Sequence, residues 1–196
     1  MKYKTKRKSH NTGFTLIEMI VTVAIVAILS SMAAPSFRGM LESNRATAEA
    51  NELVSGLLLA RSEALKRSNN VTLCTSTDQA SCAGNGVQNF SEGWIVFQDC
   101  NDNQVLDDAT LVDCGNAATQ FEVIIKAQAG SNKMEVKKDA PPAGTEHYFT
   151  YKLTGRPEAV VTFEVKKPGS TTVLKEISVA RTGRIKSVTC HGGTCP

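Results

Sequence analysis

Histidine is scarce in this sequence: only His10, His147 and His191 occur among 196 residues, the first of them in a basic N-terminal stretch. No nucleophile motif, phosphate-binding loop or metalloprotease pattern is present. The reading is therefore of a protein that is not an enzyme and holds neither a cofactor nor a metal. Lysine and arginine are missing altogether between Ser68 and Ile125, where Asp78, Glu92, Asp99, Asp102, Asp107, Asp108, Asp113 and Glu122 stand unopposed. There is no internal repeat, and no linker long enough to divide the region after the first seventy residues into separate domains.

With 41% hydrophobic residues, the chain can build one modest globular domain plus one long apolar element. Its formal charge of +3 is set by the N-terminus. Lys2, Lys4, Lys6, Arg7 and Lys8 precede Gly13 without an acid among them, and the remainder without them is net negative. Charge is also divided along the chain, because His147–Pro196 carries eight bases against Glu158, Glu164 and Glu176. Such an asymmetry suggests a polyanionic partner at the C-terminal end, or a patterned surface that keeps a subunit soluble and oriented.

The six cysteines fall into three local couples, Cys74 with Cys82, Cys100 with Cys114, and Cys190 with Cys195, each bracketing turn-forming sequence. In an exported protein this reads as up to three loop-closing disulfides, paired by proximity.

An apolar run from Phe14 to Ala34 follows the basic leader, broken by the single charge of Glu18. As a helix it would extend roughly 30 Å, about the thickness of a bilayer's hydrocarbon core. Basic flanks stay cytoplasmic, so the C-terminal bulk should be exported. A plain secretory signal would carry small residues at the far end of the run, and Ser30, Ser31, Ala33 and Ala34 could serve. Glu18 argues otherwise, since a carboxylate within a membrane span is costly and usually functional.

Gly13-Phe14-Thr15-Leu16-Ile17-Glu18 resembles the prepilin processing motif of type IV pilins and type II secretion pseudopilins. The resemblance implies cleavage by a prepilin peptidase between Gly13 and Phe14, N-methylation of Phe14, and a role for Glu18 in filament assembly. It implies a leader over 1–13 and an N-terminal helix over 14–68, with 14–34 as its transmembrane and filament-core half. It also implies an inner-membrane prepilin whose periplasmic C-terminal domain later reaches the pilus at the cell surface, with other pilins as partners. A free amine and a neighbour's carboxylate would neutralise each other in the low-dielectric filament core. Pro35 should kink or locally unwind the helix.

Beyond Pro35 the helical period continues through Ala46, Ala50, Leu53, Val54, Leu57, Leu58, Ala60, Ala64 and Leu65, an apolar stripe suited to packing on a sheet. Ser68-Asn69-Asn70 should end it, with Asn in the left-handed conformation. Strands are expected over Val71–Cys74, Trp94–Gln98, Phe121–Lys126, Tyr148–Leu153, Val160–Lys166, Val173–Val179 and Arg184–Val188. The predicted fold is thus α+β: one long helix, apolar then amphipathic, packed on an antiparallel β domain over 69–196. Leu59–Arg67, Val71–Cys74, Gly93–Asp99 and Arg181–Lys186 are similar to blocks of the FimT/FimU minor pilins and the related GspH pseudopilins. That resemblance implies a minor pilin active in pilus assembly or at the tip, or alternatively a minor pseudopilin of type II secretion.

Arg181, Arg184 and Lys186 form the sharpest candidate site. If Thr182-Gly183 is a two-residue hairpin loop, Arg181 and Arg184 face each other and Lys186 lies on the same side as Arg184. Lys166, Lys167 and Lys175 on neighbouring strands would extend a cradle for a nucleic-acid backbone. Gly183-Arg184-Ile185-Lys186 resembles the Gly-Arg-x-Arg motif with which FimT proteins of competent bacteria bind DNA, with Lys in place of the last Arg. Lys keeps the charge and loses the planar fork. No aromatic residue lies in the segment to stack on bases, which favours phosphate contact. The same cations could instead make contacts between subunits.

Two weaker patterns remain. Asp99–Thr110 resembles a calcium loop but has Gln104 where glycine is needed and Thr110 where the closing glutamate belongs. Cys190-His191 with Cys195 offers three zinc ligands where four are usual, so a disulfide is the better reading.

Overall fold

A computed structural model describes residues 13–107, 112–114, 119–120 and 122–196. The leader positions before Gly13, and Asp108, Thr110 and Phe121, lie outside the described residues. The chain divides into two compact units, 1–41 and 42–196, which are taken separately below.

In the first unit, helix α1 (Leu16–Arg67) begins at once behind Thr15. Thr15-Leu16-Ile17-Glu18 is a capping box: the Thr15 hydroxyl accepts from the Glu18 amide at 3.3 Å, and Glu18 Oε2 accepts from the Thr15 amide at 3.5 Å. The carboxylate therefore sits where the helix presents its unpaired N–H groups and positive dipole end. Every described side chain from Phe14 to Met32 is exposed, including Phe14, Leu16, Ile17, Met19, Val23, Ile28 and Leu29. Helical backbone continues through Pro35, but Leu16–Met32 and the part that starts at Phe37 are bent by 44°, so the helix kinks there without unwinding. No single straight helix among the described residues is long and apolar enough to cross a membrane; Leu16–Met32 and Phe37–Arg67 pass that test only together.

In the second unit, α1 buries Ala46, Ala50, Leu53, Leu57, Ala60 and Ala64. Those positions recur at helical spacing and form one stripe. Leu58 and Leu65 stand off that stripe with about half of each side chain exposed (52% for both), contrary to the expectation that they join it. The helix ends at Arg67, and Ser68 rather than an asparagine takes the left-handed conformation, at φ 49°.

The stripe packs on two antiparallel sheets that share one core, within the single β unit expected. Sheet one orders β5 (Ile124–Ala129), β2 (Gly93–Asp99), β1 (Asn70–Thr75) and β7 (Tyr148–Tyr151). Sheet two orders β10 (Ile185–Thr189), β9 (Val173–Val179), β8 (Val161–Lys166) and β6 (Glu135–Lys138), and a two-residue ribbon joins β3 (Val112–Asp113) to β4 (Thr119–Gln120). All pairings are antiparallel. Val71, Leu73, Trp94, Val96 and Tyr151 from sheet one meet Val136, Phe163, Val165, Ile177 and Val179 from sheet two beneath the helix. The opposite face of sheet one holds a smaller cluster of Cys74, Ile95 and Phe97, covered by Cys82 and Leu106.

Strand β6 was not expected, because Glu135, Lys137 and Lys138 mask its one buried aliphatic, Val136. The strand expected over Phe121–Lys126 begins only at Ile124, since the Glu122 carboxylate turns inward to accept from the backbone of Cys100 and Asp107.

Candidate functional site

The loop between β9 and β10 carries the basic candidates. Gly183 N donates to Ala180 O at 2.7 Å and Ala180 N to Arg184 O at 2.9 Å, and the ladder starts at Ile185 opposite Val179. The loop proper is therefore Arg181-Thr182-Gly183, three residues rather than two, with Gly183 at φ +79° supplying the left-handed step. Ala180, not Arg181, stands opposite Arg184. Arg181 occupies the tip, while Arg184 and Lys186, two residues apart, lie on one side of the sheet.

Arg181, Arg184 and Lys186 are all exposed, and among the described residues none of them has a carboxylate within ion-pair distance. Lys186 pairs with Ser178, and Thr162 follows on β8. The first acids on that side are Glu176, opposite Val188, and its neighbour Glu164. The three expected auxiliary lysines do not join this group. Strand β8 runs away from the loop, so Lys166 and Lys167 end about 17 Å from it by strand rise. Lys166 pairs there with Glu164, Lys167 with Glu42 at 2.7 Å, and Lys175 donates to the Thr189 hydroxyl at 2.9 Å.

A residue that sequence reasoning passed over holds the loop in place. Arg61 reaches out from α1; its Nη2 donates to Thr182 O at 2.9 Å and its Nε to Gly155 O at 3.2 Å. Gly155, at φ +70°, closes the turn after β7 by donating to Lys152 O at 2.8 Å. Gly183 abuts Gly155 O so closely that any Cβ there would collide with it and would come within 2.8 Å of Arg61 Nε. Close to Arg61, Tyr151 is fully buried, and its hydroxyl has no hydrogen-bond partner among the described residues. Burial pushes that hydroxyl up to about 12, against the opposing pull of the Arg61 charge. The contacts of Arg61 span 94 and 121 positions of sequence, so no local pattern announces them.

The acidic loop after β2 is internally satisfied. Asp99 accepts from the Thr72 hydroxyl and from the amides of Asn103 and Gln104, and Asp107 accepts from the side-chain amides of Asn101 and Asn103 at 2.8 Å. Desolvation outweighs these bonds and pushes the Asp99 and Glu122 carboxyls above their ordinary values. Asp99, Asp102, Asp107 and Glu122 are thus engaged by the chain itself, and no metal-holding group of three such ligands occurs among the described residues.

Cys74 is bonded to Cys82, Cys100 to Cys114 and Cys190 to Cys195. His191 lies in the last of these loops, its backbone bridged to Thr194, and the two cysteines there are bonded to each other.

A capped apolar helix, continued as an amphipathic one on an antiparallel β unit with disulfide-closed loops, is the form of a pilin-like subunit. The family model for the type II transport protein GspH matches residues 49–183, more than half of the chain, and the chain belongs to that family. The prokaryotic N-terminal methylation motif matches residues 8–34, which marks prepilin-type processing and assembly with other pilin-like subunits. Among solved structures, the type IV minor pilin FimU of Pseudomonas aeruginosa matches at a TM-score of 0.51 and 16% identity, over 78% of this chain and 93% of FimU. The minor pseudopilin EpsH of the Vibrio cholerae type 2 secretion system matches at 0.41 and 12%, over 74% of this chain and 96% of EpsH. The first likeness shows the α+β fold. No curated protein sequence matches the chain significantly. The protein is a pilin-like subunit of the GspH family that carries the N-terminal methylation motif.

Proposed function

We propose that the chain is a minor pilin of a type IV pilus, acting in filament assembly and at or near the tip. In this reading a prepilin peptidase cuts between Gly13 and Phe14, and Phe14 is methylated on its new amine. The segment 14–34 then holds the subunit in the inner membrane, with 69–196 in the periplasm, until it enters the filament. The observation that carries the reading is the exposed apolar surface of Phe14–Met32 behind Gly13, with Glu18 at its head. In water that surface would be an unpaid burial debt, and a bilayer or neighbouring apolar helices remove it. Cleavage would put a positive amine on Phe14, directly before Thr15 of the capping box and four residues before Glu18. The Glu18 carboxylate, freed from Thr15, could neutralise the amine of a neighbouring subunit.

FimU, whose fold this chain shares, is a type IV minor pilin, which supports this reading, while membership of the GspH family leaves a minor pseudopilin of type II secretion as the alternative. Processing is tested by mass: the native chain should lose its leader and gain one methyl group on Phe14. A Gly13→Val chain should remain full length. Normal maturation of that variant would contradict the cleavage assignment.

A second reading is favoured by a separate observation, the exposed cations Arg181, Arg184 and Lys186 at and beside the β9–β10 loop, which have no ion-pair partner among the described residues. Three exposed cations, Arg181 at the loop tip and Arg184 and Lys186 on one side of the sheet beside it, suit the backbone phosphates of extracellular DNA. The titration is of the mature chain in detergent with duplex DNA at two salt concentrations. Binding that weakens with salt, and is lost when Arg181, Arg184 and Lys186 are all changed to Ala, supports this reading; no binding at low salt removes it.

A further inference from the structure

We infer that Arg61 is a positioning residue for the basic loop: it fixes Arg181–Arg184 to the second half of α1 so that the loop cations are presented in one arrangement. This rests on the DNA reading of the loop, and it adds a residue on a different element, 121 positions away from the loop residue it holds.

Three observations carry it. First, the Arg61 guanidinium uses two separate nitrogens on two separate turns, Nη2 on Thr182 O and Nε on Gly155 O. Such a planar fork cannot be replaced by the single ammonium of lysine. Second, both turns are glycine turns with left-handed backbones, and they touch. A Cβ at Gly183 would strike Gly155 O, and one at Gly155 would lie 2.9 Å from the Leu65 side chain, one helical turn beyond Arg61. The loop is therefore pressed on α1 by shape and held there by charge-assisted hydrogen bonds. Third, Arg61 is half-buried while Arg181, Arg184 and Lys186 are exposed. It lies behind the loop, with its donors committed to main-chain carbonyls, and the three cations lie in front.

Flexible cations pay an ordering cost each time they engage a phosphate; a loop fixed beforehand does not. The arrangement also runs from the DNA-facing tip directly into α1, the helix whose first half carries the assembly segment.

The experiment compares native, Arg61→Met, Arg61→Lys and Gly183→Ala chains, each full length in detergent, by two readouts. Hydrogen exchange of the Ala180 and Gly183 amides reports loop order without DNA. Duplex titration across a range of salt reports affinity and the number of phosphates engaged. Arg61→Met is expected to speed exchange at both amides and to weaken binding by about tenfold, the size of one lost constraint of this kind. Its salt slope should stay native, because Arg61 touches no phosphate; loss of a phosphate contact would lower the slope by about one. Arg61→Lys should fall between native and Arg61→Met. Gly183→Ala retains Arg61 but displaces the loop, and should show the same pair of changes, which guards against a fold defect peculiar to the Arg61 variants. Native exchange at Ala180 and Gly183 in Arg61→Met overturns the positioning role. A lowered salt slope overturns it as well, making Arg61 a contact residue. Should the native chain bind no DNA, the reading of the loop fails by itself, and the exchange data alone decide whether Arg61 orders it.

Discussion

The indole of Trp94, on the central strand β2, lies across Gly56 of α1, so close that a Cβ on Gly56 would come within 2.5 Å of its Cη2 atom. Lys126 covers the ring, with its ammonium 5.1 Å from the centroid. Glycine within a helix costs about 1 kcal/mol relative to alanine. Here that cost is offset by letting the largest side chain of the core reach the helix backbone. Gly56→Ala should therefore destabilise the chain, as overpacking costs about 1–3 kcal/mol against the propensity gained. Denaturant unfolding followed by Trp94 fluorescence measures it; a stabilised variant would contradict the packing.

Lys138 should leave a mark on stability at alkaline pH. Its ammonium donates to Thr145 O and Tyr148 O and lies over the Tyr148 ring, and burial pulls its pKa from 10.5 down to about 8. The unfolded chain then binds more protons than the folded one between these two values. The cost of burying the charged form is fully present below pH 8 and is relieved as pH rises through that window. Between pH 8 and 10 the unfolding free energy of the native chain should thus gain a rising contribution that Lys138→Met lacks. Equal slopes in the two chains would contradict it.

The disulfides should differ in weight. Cys74 is fully buried in the cluster with Ile95 and Phe97, and its partner Cys82 covers that cluster. Changing both to Ala should cost about 2–4 kcal/mol. Cys190–Cys195 closes only the terminal hairpin beyond β10, and changing both to Ser should chiefly increase fraying of the last residues. Unfolding midpoints and amide exchange of the two double variants separate these outcomes.

Much of the fold was legible from periodicity. Ala46, Ala50, Leu53, Leu57, Ala60 and Ala64 repeat with the helical period, and they are the buried stripe. Alternating Val161, Phe163 and Val165 on β8, and Val173, Ile177 and Val179 on β9, likewise announce their inward faces. Legibility ended where contacts are long-range. Nothing beside Arg61 indicates that its partners are Thr182 and Gly155, and nothing beside Gly56 indicates Trp94. The loop after β9 was misjudged by one residue, because Thr-Gly alone does not reveal whether glycine fills the second or third place of a hairpin loop. One position moved Arg181 from a strand pair to the tip. The Thr15–Glu18 capping box, by contrast, was spelled out in adjacent letters and was passed over in favour of the membrane argument.

Glu18 should separate processing from assembly. Glu18→Ala loses the capping-box acceptor, which costs about 1 kcal/mol of local helix stability at most. It should still lose its leader at Gly13, yet enter filaments poorly, as judged by its amount in sheared pili against membranes. Normal incorporation would count against the assembly role.

The most direct measurement is made in a strain lacking this chain, counting surface pili by electron microscopy while assaying export through the type II pathway. A type IV minor pilin predicts that pili fall sharply, that they return when the native chain is supplied, and that export is unchanged. Normal piliation with lost export would contradict the account and make the chain a pseudopilin of the secretion system.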